Sequence, residues 1–580
     1  MNATNATNDT GLLNLRWAQA LADGFAAAGV RHLVLSPGSR STPLVLAFLR
    51  HPTLRCHVIL DERSAAFFAL GLAKASRGNL HVALLCTSGS APANWFPAVI
   101  EADQGATPLI LLSADRPPEQ IGWGANQTID QHQLFGKHVR AFHAPGTPTE
   151  NFSAQWLHHL AARAISDSTW PLAGPVHLNL PFREPLLPAA PPSEWPTSIA
   201  TALKPINMAP PKHIPDADLI AATAAAMNGR PGVIVCGGGD YADGFAGAIS
   251  ALAKKLACPI FAEPLSNLRF GAHDRSYLYV RHESFLRVPA LVRTNDVQWI
   301  MRFGDFPVTR SVQEWLAGST QAHHVVVTAN SRWPDPQHRA DTLVQADPLA
   351  VCQALLTATS IPAPAWWLRT FMKAESAVQR VADSYAKLEN FEGALISTLL
   401  AQLPDGHRLF CGNSMAIREL DTFSGSGNKA LRVFGNRGAS GIDGNLSTAI
   451  GIATAAGATV ALVGDLTAQH DLTALAATKG VDIIIIVMNN GGGGLFDYLP
   501  QAALPEFERA WLTPQTIDFG AAARAFSVAY TQAQTLAAFA CALESALARG
   551  GPTLIEAVID RQESFTQHRA YREAITCLRR

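Results

Sequence analysis

Two oxygen-bearing side chains stand at the ends of neighbouring predicted strands in the last third of the chain. The strand Thr459–Val463 runs into Asp465, and the strand Ile483–Met488 runs into Asn490 and Gly492. Parallel α/β sheets bind ligands at the carboxyl ends of their strands. A carboxylate, an amide oxygen and a backbone carbonyl are hard ligands that suit Mg²⁺, which also takes phosphate oxygens. The pattern predicts a metal site that anchors a phosphorylated molecule, with an ordinary strand-end turn and Asn-Gly loop as the alternative.

The chain between these two loops is short. One helix-sized segment, Gln469–Gly480, separates them, so the two strands are expected to be neighbours in one sheet. Glycines in both loops let the backbone approach a diphosphate closely.

The spacing resembles the motif that binds thiamine diphosphate (ThDP), in which Gly-Asp-Gly is followed by Asn-Asn. Asn490 lies 25 positions after Asp465. By this resemblance, Asp465, Asn490 and the carbonyl of Gly492 bind Mg²⁺, with Mn²⁺ as an alternative, and Gly464 contacts the cofactor. The chain departs from the motif at Leu466, where most of the superfamily has glycine; Leu466 is still expected to contact the cofactor.

Glu62 opens a predicted helix, Glu62–Ser76, after the strand-like Cys56–Leu60. Burial against apolar neighbours would favour its protonated form. An acidic residue in a first helical turn is also common because it complements the helix dipole. ThDP enzymes need one glutamate against N1′ of the aminopyrimidine, where it promotes loss of the C2 proton to form the ylid. The resemblance therefore implies that Glu62 is the catalytic, cofactor-binding glutamate.

Further segments resemble one particular ThDP family. They are residues 36–43, 87–91, 113–118, 124–129, 412–414 with Arg418, and 436–444. This set is similar to the 2-succinyl-5-enolpyruvyl-6-hydroxy-3-cyclohexene-1-carboxylate synthases of the menaquinone pathway. The resemblance covers all three predicted domains and is strongest in the first and third. It implies decarboxylation of 2-oxoglutarate on ThDP, followed by 1,4-addition of the four-carbon acyl anion to isochorismate.

Both implied substrates are dicarboxylates, and arginine binds carboxylates with two parallel hydrogen bonds. Four arginines lie in or beside matching segments, and one more lies in the middle of the chain: Arg40, Arg116, Arg418, Arg437 and Arg310. A solvated surface cation is the alternative for each. The resemblance supports a substrate-binding role less strongly for Arg310, because some relatives have a second basic residue where this chain has Thr309.

The family resemblance assigns further contacts. Ser39, Gln127 and Ser414 resemble polar contacts to substrate, intermediate or cofactor. Ile442 resembles the apolar wedge that keeps ThDP bent, and Leu495 with Phe496 resembles a wall beside the thiazolium. Core packing is the alternative for these apolar residues.

Short apolar runs alternate with amphipathic stretches, which predicts three doubly wound parallel α/β domains. The predicted domains are residues 1–190 (pyrimidine-binding), 191–365 (central) and 366–580 (diphosphate- and Mg²⁺-binding). Linkers are predicted at Pro185–Pro215 and Pro362–Trp367. The other predicted strands are His32–Ser36, His81–Cys86, Pro108–Ser113, Val176–Leu180, Gly232–Cys236, Val297–Phe303, His324–Thr328, Arg408–Cys411 and Thr553–Val558.

Composition excludes several classes. The 580 residues are 48% hydrophobic and 16% charged with a net charge of −1, and no basic stripe indicates nucleic-acid binding. No apolar run reaches the ~18 residues of a membrane span. The eight cysteines include no Cys-x-x-Cys pair, so neither a zinc site nor a disulfide framework is expected. Met1–Thr10 lacks the basic and apolar regions of a signal peptide, so a cytoplasmic location is expected.

Three alternatives stay open. Gly237–Gly239 after a strand could be a flavin or dinucleotide loop or a vestigial one, since a full Gly-x-Gly-x-x-Gly is missing. The chain could be another ThDP-dependent decarboxylase or carboligase, such as an acetolactate-synthase-like enzyme. A non-enzymatic relative would be expected to lose Glu62, Asp465 or Asn490. The resemblance also implies a homodimer or dimer of dimers, with each site shared between two chains.

Overall fold

The computed structural model describes residues 9–76, 80–197, 204, 206–209, 211–292 and 294–578. These residues contain three six-stranded sheets, and all paired strands are parallel. Helices alternate with the strands along the chain, which confirms the predicted doubly wound α/β class. In the described part of the chain, no helix combines the length and hydropathy that crossing a bilayer requires.

The first sheet has the strand order β2-β1-β3-β4-β6-β5. Its strands are β1 (Val30–Leu35), β2 (Arg55–Val58), β3 (His81–Cys86), β4 (Leu109–Asp115), β5 (Phe142–His143) and β6 (Pro175–Pro181). The helices are α1 (Thr10–Ala27), α2 (Thr42–Leu49), α3 (Glu62–Ser76), α4 (Phe96–Gln104) and α5 (Ala154–Thr169). Because the strands are parallel, the segments that follow them leave the sheet at one edge.

The second sheet has the order β12-β11-β10-β7-β8-β9. Its strands are β7 (Gly232–Cys236), β8 (Ile260–Ala262), β9 (Leu278–Tyr279), β10 (Trp299–Phe303), β11 (His323–Thr328) and β12 (Thr342–Gln345). The helices are α6 (Ala217–Met227), α7 (Phe245–Leu256), α8 (His282–Phe285), α9 (Arg310–Gly318) and α10 (Pro348–Ala358), followed by the long α11 (Ala365–Tyr385).

The third sheet repeats the order of the first, β14-β13-β15-β16-β18-β17. Its strands are β13 (Arg408–Cys411), β14 (Arg432–Phe434), β15 (Thr459–Gly464), β16 (Ile483–Asn489), β17 (Ala529–Ala533) and β18 (Thr553–Val558). The helices are α12 (Glu392–Gln402), α13 (Met415–Phe423), α14 (Asn445–Ala456), α15 (Asp465–His470), α16 (Phe519–Ala525), α17 (Leu536–Arg549) and α18 (Arg561–Thr576). The central strands β15 and β16 are almost fully buried, as expected where helices cover both faces.

Contacts divide the chain into two compact units. The first comprises the described residues of Met1–Pro210 together with Asn436–Gly457 and His470–Val481. The second comprises those of Pro211–Gly435, Ala458–Gln469 and Asp482–Arg580. Helix α14 therefore belongs to the first unit, where it packs on α3, although it joins two strands of the third sheet. The three-domain boundaries inferred from the sequence stay a prediction.

Two details of the predicted organisation are wrong. The linker Pro362–Trp367 ends early because α11 already begins at Ala365, and the fully buried Trp367 donates its indole N–H to the carbonyl of Gly232 at 2.8 Å. The segment Gln469–Gly480 is not one helix. Helix α15 ends at His470, and a 3₁₀ helix follows at Leu472–Ala477.

Candidate active site

The predicted metal ligands lie on adjacent strands of the third sheet. Asp465 directly follows β15 and Asn490 directly follows β16, and the register pairs Gly464 with Met488. The Asp465 side chain is buried, and one oxygen accepts the backbone N–H of Leu466 at 2.8 Å. Burial raises the pKa of the Asp465 carboxyl to about 6, while the nearby backbone N–H groups of Leu466 and Gly492 act in the opposite direction.

Two oxygens in this pair of loops are buried without a hydrogen-bond partner: Oδ2 of Asp465 and Oδ1 of Asn490. A buried acceptor without a partner costs roughly 1–3 kcal/mol, and a bound cation would offset this cost. A carboxylate oxygen and an amide oxygen are Mg²⁺ ligands. The donor set therefore fits a hard divalent cation. Among the described residues no group of three or more His, Cys, Asp or Glu forms an alternative metal cluster.

Gly464 and Gly492 lie beside Asp465 and Asn490, and the structure requires glycine at only one of the two positions. Gly492 has φ +140°, and a Cβ there would lie 2.3 Å from the carbonyl oxygen of Leu512, so the chain's own packing requires it. A Cβ on Gly464 would meet nothing within 4 Å. The absence of a side chain at Gly464 therefore has no explanation in the protein's own packing, and it leaves the backbone accessible to a ligand.

Leu495 and Phe496 lie just beyond this loop, in a 3₁₀ helix at Gly494–Tyr498. Both are half-buried. The ring of Phe496 packs on the backbone at Gly493, where a Cβ would come within 2.9 Å of it. The two apolar side chains therefore lie in the 3₁₀ helix that directly follows the loop of Asn490 and Gly492.

Ser414 and Arg418 come together where α13 begins. Ser414 has φ +65° and ψ −124°, which is strained for a residue with a side chain. Arg418 donates from its guanidinium to the Ser414 carbonyl at 2.6 Å. Backbone strain of this kind concentrates at functional sites, and the substrate or cofactor contact expected of Ser414 stays a prediction.

The sequence analysis missed a buried ionic cluster in which Glu419 of α13 meets Glu392 of α12 and His568 of α18. His568 Nε2 lies 3.0 Å from Glu392 and 3.7 Å from Glu419, and all three side chains are buried. Burial, with Glu392 adding to it, raises the pKa of Glu419 to about 7. Burial alone would lower the pKa of His568, but the two carboxylates outweigh it and raise that pKa.

This cluster predicts a pH-dependent stability. Both raised pKa values mean that the native state binds more protons than the unfolded chain, for Glu419 between its ordinary 4.5 and about 7. The contribution of this cluster to the free energy of unfolding should therefore fall as pH rises from about 5 to about 8. Glu419→Gln should flatten this dependence, measured by circular dichroism at several pH values. Glu573→Gln, an exposed substitution on α18, is the matched control. Parallel curves for wild type and Glu419→Gln would contradict the assignment.

In the first unit, Glu62 opens α3 after β2, as predicted, and is half-buried. The capping of α3 comes from Asp61, whose carboxylate accepts the backbone N–H of Arg63 at 2.9 Å and of Ser64 at 3.3 Å. The other oxygen of Asp61 accepts the hydroxyl of Thr473 at 2.7 Å. Asp61 supplies the side-chain cap of α3, and Glu62 occupies the first turn, where a carboxylate complements the helix dipole. Burial, and the charge of Glu62, raise the pKa of the Cys86 thiol at the end of β3.

Arg40 and Arg116 converge on one carboxylate. The buried Arg40 guanidinium donates to Glu184 Oε1 at 2.6 Å and to the Phe182 carbonyl at 2.9 Å. Arg116 Nη1 lies 3.5 Å from the same Glu184 oxygen. The three groups carry one net positive charge at the carboxyl end of the first sheet. The sequence analysis missed Glu184, because only the order of the strands brings the segment after β6 beside those after β1 and β4.

Ser39 and Gln127 lie at the same edge of the sheet and are exposed. Gln127 has φ +53° and is tied to the loop after β3: its amide donates to the Ser88 carbonyl at 3.2 Å, and the Ser88 hydroxyl donates to the Gln127 carbonyl at 2.9 Å. The backbone N–H of Arg40 donates to Thr87 of that loop at 3.2 Å. The structure therefore gathers these predicted residues around one loop.

Arg437 and Ile442 lie in the segment between β14 and α14, which belongs to the first unit. Both side chains are half-buried. The segment leads into α14, which packs tightly on α3: a Cβ on Gly71 would lie 2.1 Å from the Thr448 carbonyl oxygen. This close packing fixes the end of the segment against the helix that starts with Glu62.

Arg310 is not gathered with other predicted residues of its unit. It is the first residue of α9, its side chain is 83% exposed, and it forms an ion pair with Glu314 one turn later at 2.6 Å. A contact with Glu314 at the surface is what the solvated-cation alternative expects.

The glycine loop after β7 is occupied by the protein itself. A Cβ on Gly237 would lie 2.1 Å from the carbonyl oxygen of Asp305. A Cβ on Gly304 would lie 2.3 Å from the carbonyl oxygen of Gly238. The hydroxyl of Tyr241 also donates to the Gly237 carbonyl at 2.9 Å. The loops after β7 and β10 thus pack on each other where a dinucleotide would bind, which favours the vestigial interpretation.

Comparisons with known proteins relate the chain to thiamine pyrophosphate enzymes. Residues 15–134 match the model of the thiamine pyrophosphate enzyme N-terminal TPP binding domain, and residues 425–557 match that of the C-terminal TPP binding domain. Benzoylformate decarboxylase from Polynucleobacter necessarius has the same fold, with a TM-score of 0.70 over 94% of this chain and 99% of that one at 16% identity. Fold and site thus define a thiamine diphosphate enzyme.

The relatives with curated names identify one family among the thiamine diphosphate enzymes. A 2-succinyl-5-enolpyruvyl-6-hydroxy-3-cyclohexene-1-carboxylate synthase from Dechloromonas aromatica is 50% identical over 94% of this chain and 99% of its own length. Another from Geobacillus kaustophilus is 39% identical over 97% of this chain and 99% of its own. The chain belongs to the 2-succinyl-5-enolpyruvyl-6-hydroxy-3-cyclohexene-1-carboxylate synthase family.

Proposed function

We propose that the protein decarboxylates 2-oxoglutarate and adds the remaining four carbons to isochorismate by 1,4-addition, releasing CO₂, in menaquinone biosynthesis. The family membership supports this reaction. The observation that carries the cofactor dependence is the pair of buried oxygens without partners on Asp465 and Asn490, at the ends of adjacent strands. We place the enzyme in the cytoplasm and expect no nucleic-acid partner, consistent with a net charge of −1.

ThDP, when bound, supplies the electron sink that decarboxylation of a 2-oxo acid requires. Asp465, Asn490 and the Gly492 carbonyl would hold Mg²⁺ or Mn²⁺, and Gly464 with Leu466 would lie against the cofactor. Ile442 would be the apolar wedge that keeps the cofactor bent, and Leu495 with Phe496 would form a wall beside its thiazolium. Glu62 would share a proton with the pyrimidine nitrogen N1′.

The arginines and polar residues would bind the two dicarboxylates. Arg418 and Arg437 are assigned to 2-oxoglutarate, and Arg116 to isochorismate. Arg40 and Arg116 share Glu184, and Arg40 would add to the positive charge available to a substrate carboxylate. Ser39, Gln127 and Ser414 would contribute hydrogen bonds to the substrates, and Arg310 stays a candidate whose exposed position offers the least support.

The division of the arginines is testable. Arg418→Gln or Arg437→Gln should raise the KM for 2-oxoglutarate, and Arg116→Gln the KM for isochorismate. Loss of one charge-assisted contact should cost about 1.5–3 kcal/mol, or roughly 10–150-fold. Steady-state kinetics with each substrate varied in turn measures the effect. Arg163→Gln, a surface arginine paired with Asp167 on α5, is the matched control. Unchanged kinetics in all three variants would refute the assignment of these residues to anion binding.

The reaction itself is tested by mixing the purified protein with ThDP, Mg²⁺, 2-oxoglutarate and isochorismate. We expect release of CO₂ and an adduct of the mass of the synthase product, and neither in the absence of ThDP. The second candidate, an acetolactate-synthase-like activity, would instead consume pyruvate and could bring a yellow flavin with the purified protein. The closed glycine loop after β7 argues against that flavin.

We further propose a homodimer or dimer of dimers in which each active site takes Glu62 from one chain and Asp465 from its partner. The support is the family resemblance, since ThDP enzymes pair the first domain of one chain with the third domain of another. Two-fold symmetry then gives two equivalent sites in each dimer.

A further inference from the structure

A single buried carboxylate holds the segment that carries Arg437. Glu101, in the last turn of α4, is 3% exposed. One of its oxygens accepts the backbone N–H of Gly438 at 2.9 Å, and the other accepts that of Ala439 at 2.7 Å and that of Ser440 at 3.4 Å. Three consecutive N–H groups directly after Arg437 therefore bind one side chain that is more than 300 positions away in the chain.

The surroundings show that this contact is specific. A Cβ on Gly438 would lie 2.4 Å from the backbone nitrogen of Gly105, so the segment lies directly against the end of α4. Lys74, in the last turn of α3, lies 3.5 Å from the same Glu101 carboxylate. Glu101 therefore joins three parts of the first unit: α4, the helix that starts with Glu62, and the segment after Arg437.

We propose that Glu101 is a positioning residue for substrate binding, which fixes the backbone after Arg437 so that this arginine is held ready for the carboxylate of the 2-oxo acid. This rests on the proposed role of Arg437. A substrate arginine on a segment without regular secondary structure must lose conformational freedom when it binds, and a preorganised backbone reduces that cost. Three N–H groups on one carboxylate provide that preorganisation.

The key variant is Glu101→Gln, assayed as the holoenzyme with ThDP and Mg²⁺. An amide has one acceptor oxygen, and its NH₂ group faces N–H donors with which it cannot bond. We expect the KM for 2-oxoglutarate to rise roughly 10-fold or more, with kcat within about twofold of wild type. Glu101→Asp keeps the charge on a shorter side chain, so its KM for 2-oxoglutarate should rise less. This variant replaces Glu101→Gln in the test if Glu101→Gln does not fold.

Asp103→Asn is the matched control for a purely structural effect. Asp103 lies two residues further along α4, is also buried, and binds Arg140 at 2.7 Å and His138 at 3.0 Å. Its loss should lower the melting temperature without raising the KM for 2-oxoglutarate. If Asp103→Asn and Glu101→Gln raise this KM equally at equal loss of stability, the positioning role is overturned.

A double-mutant cycle with Arg437→Gln separates this inference from the proposed function. If Glu101 acts through Arg437, the double variant should be no worse than Arg437→Gln alone, because coupled residues are not additive. Additive losses, or a raised KM for Arg437→Gln but not for Glu101→Gln, would overturn the positioning role alone. If Arg437→Gln leaves this KM unchanged, the role proposed for Arg437 fails and the inference falls with it.

Discussion

Glu62→Gln should reduce exchange of the ThDP C2 proton by roughly 10²–10⁴-fold while leaving ThDP binding nearly intact. Glutamine keeps the shape of the side chain, but its amide cannot transfer a proton to N1′. Glu62 is the first residue of α3, and its charge adds to burial in raising the pKa of the Cys86 thiol. Exchange is followed by proton NMR of the bound cofactor after transfer into D₂O, and binding by isothermal titration calorimetry.

The matched control is Glu119→Gln, an exposed carboxylate of the same unit that pairs with Arg183. It should leave exchange unchanged. Loss of exchange in Glu62→Gln together with loss of ThDP binding would point to a cofactor-binding role only. An exchange rate equal to that of the wild type would remove Glu62 from the mechanism.

The sequence predicts the strands and the positions of the loops after β15 and β16 well, because both leave local patterns. Buried parallel strands are continuous apolar runs, and Ile483–Met488 matches the observed β16 to within one residue. Asp465 and Asn490 follow such runs directly, so strand ends alone place them together. The prediction of α3 at Glu62–Ser76 is confirmed, since Asp61 provides a helix-start signal and an apolar stretch follows.

What the sequence could not predict depends on the order of the strands and on contacts between distant segments. Glu184 meets Arg40 and Arg116 only because β6 lies beside β4. Glu101 binds a segment more than 300 positions later, although one signal could have found it: a carboxylate between Ile100 and Ala102 on a mostly apolar helix is expected to need a buried partner. The packing of α14 on α3 likewise leaves only one trace in the sequence, which is glycine at positions 71 and 451. The missing side chains of Gly71 and Gly451 permit the close contact between the two helices.

The shared site should be revealed by mixing two inactive variants. Glu62→Ala and Asp465→Ala homodimers should both be inactive, because every site lacks either the glutamate or the metal ligand. In a mixed dimer with shared sites, both lesions fall into one site and the other site is intact. Random re-association of equal amounts gives about half mixed dimers with one working site of two, so activity should recover to roughly a quarter of wild type. If each site were built within one chain, every site would carry a lesion and no activity would return.

The converse mixture is the control for this experiment. A chain with both substitutions, co-refolded with an equal amount of wild type, places one lesion in each shared site of the mixed dimer. Only wild-type homodimers then work, which leaves about a quarter of full activity, whereas sites built within one chain would leave about half. Native mass spectrometry verifies that mixed dimers are present in both mixtures. The shared site is established if activity recovers in the first mixture and about a quarter of full activity remains in the second. It is refuted if no activity recovers in the first mixture and about half remains in the second.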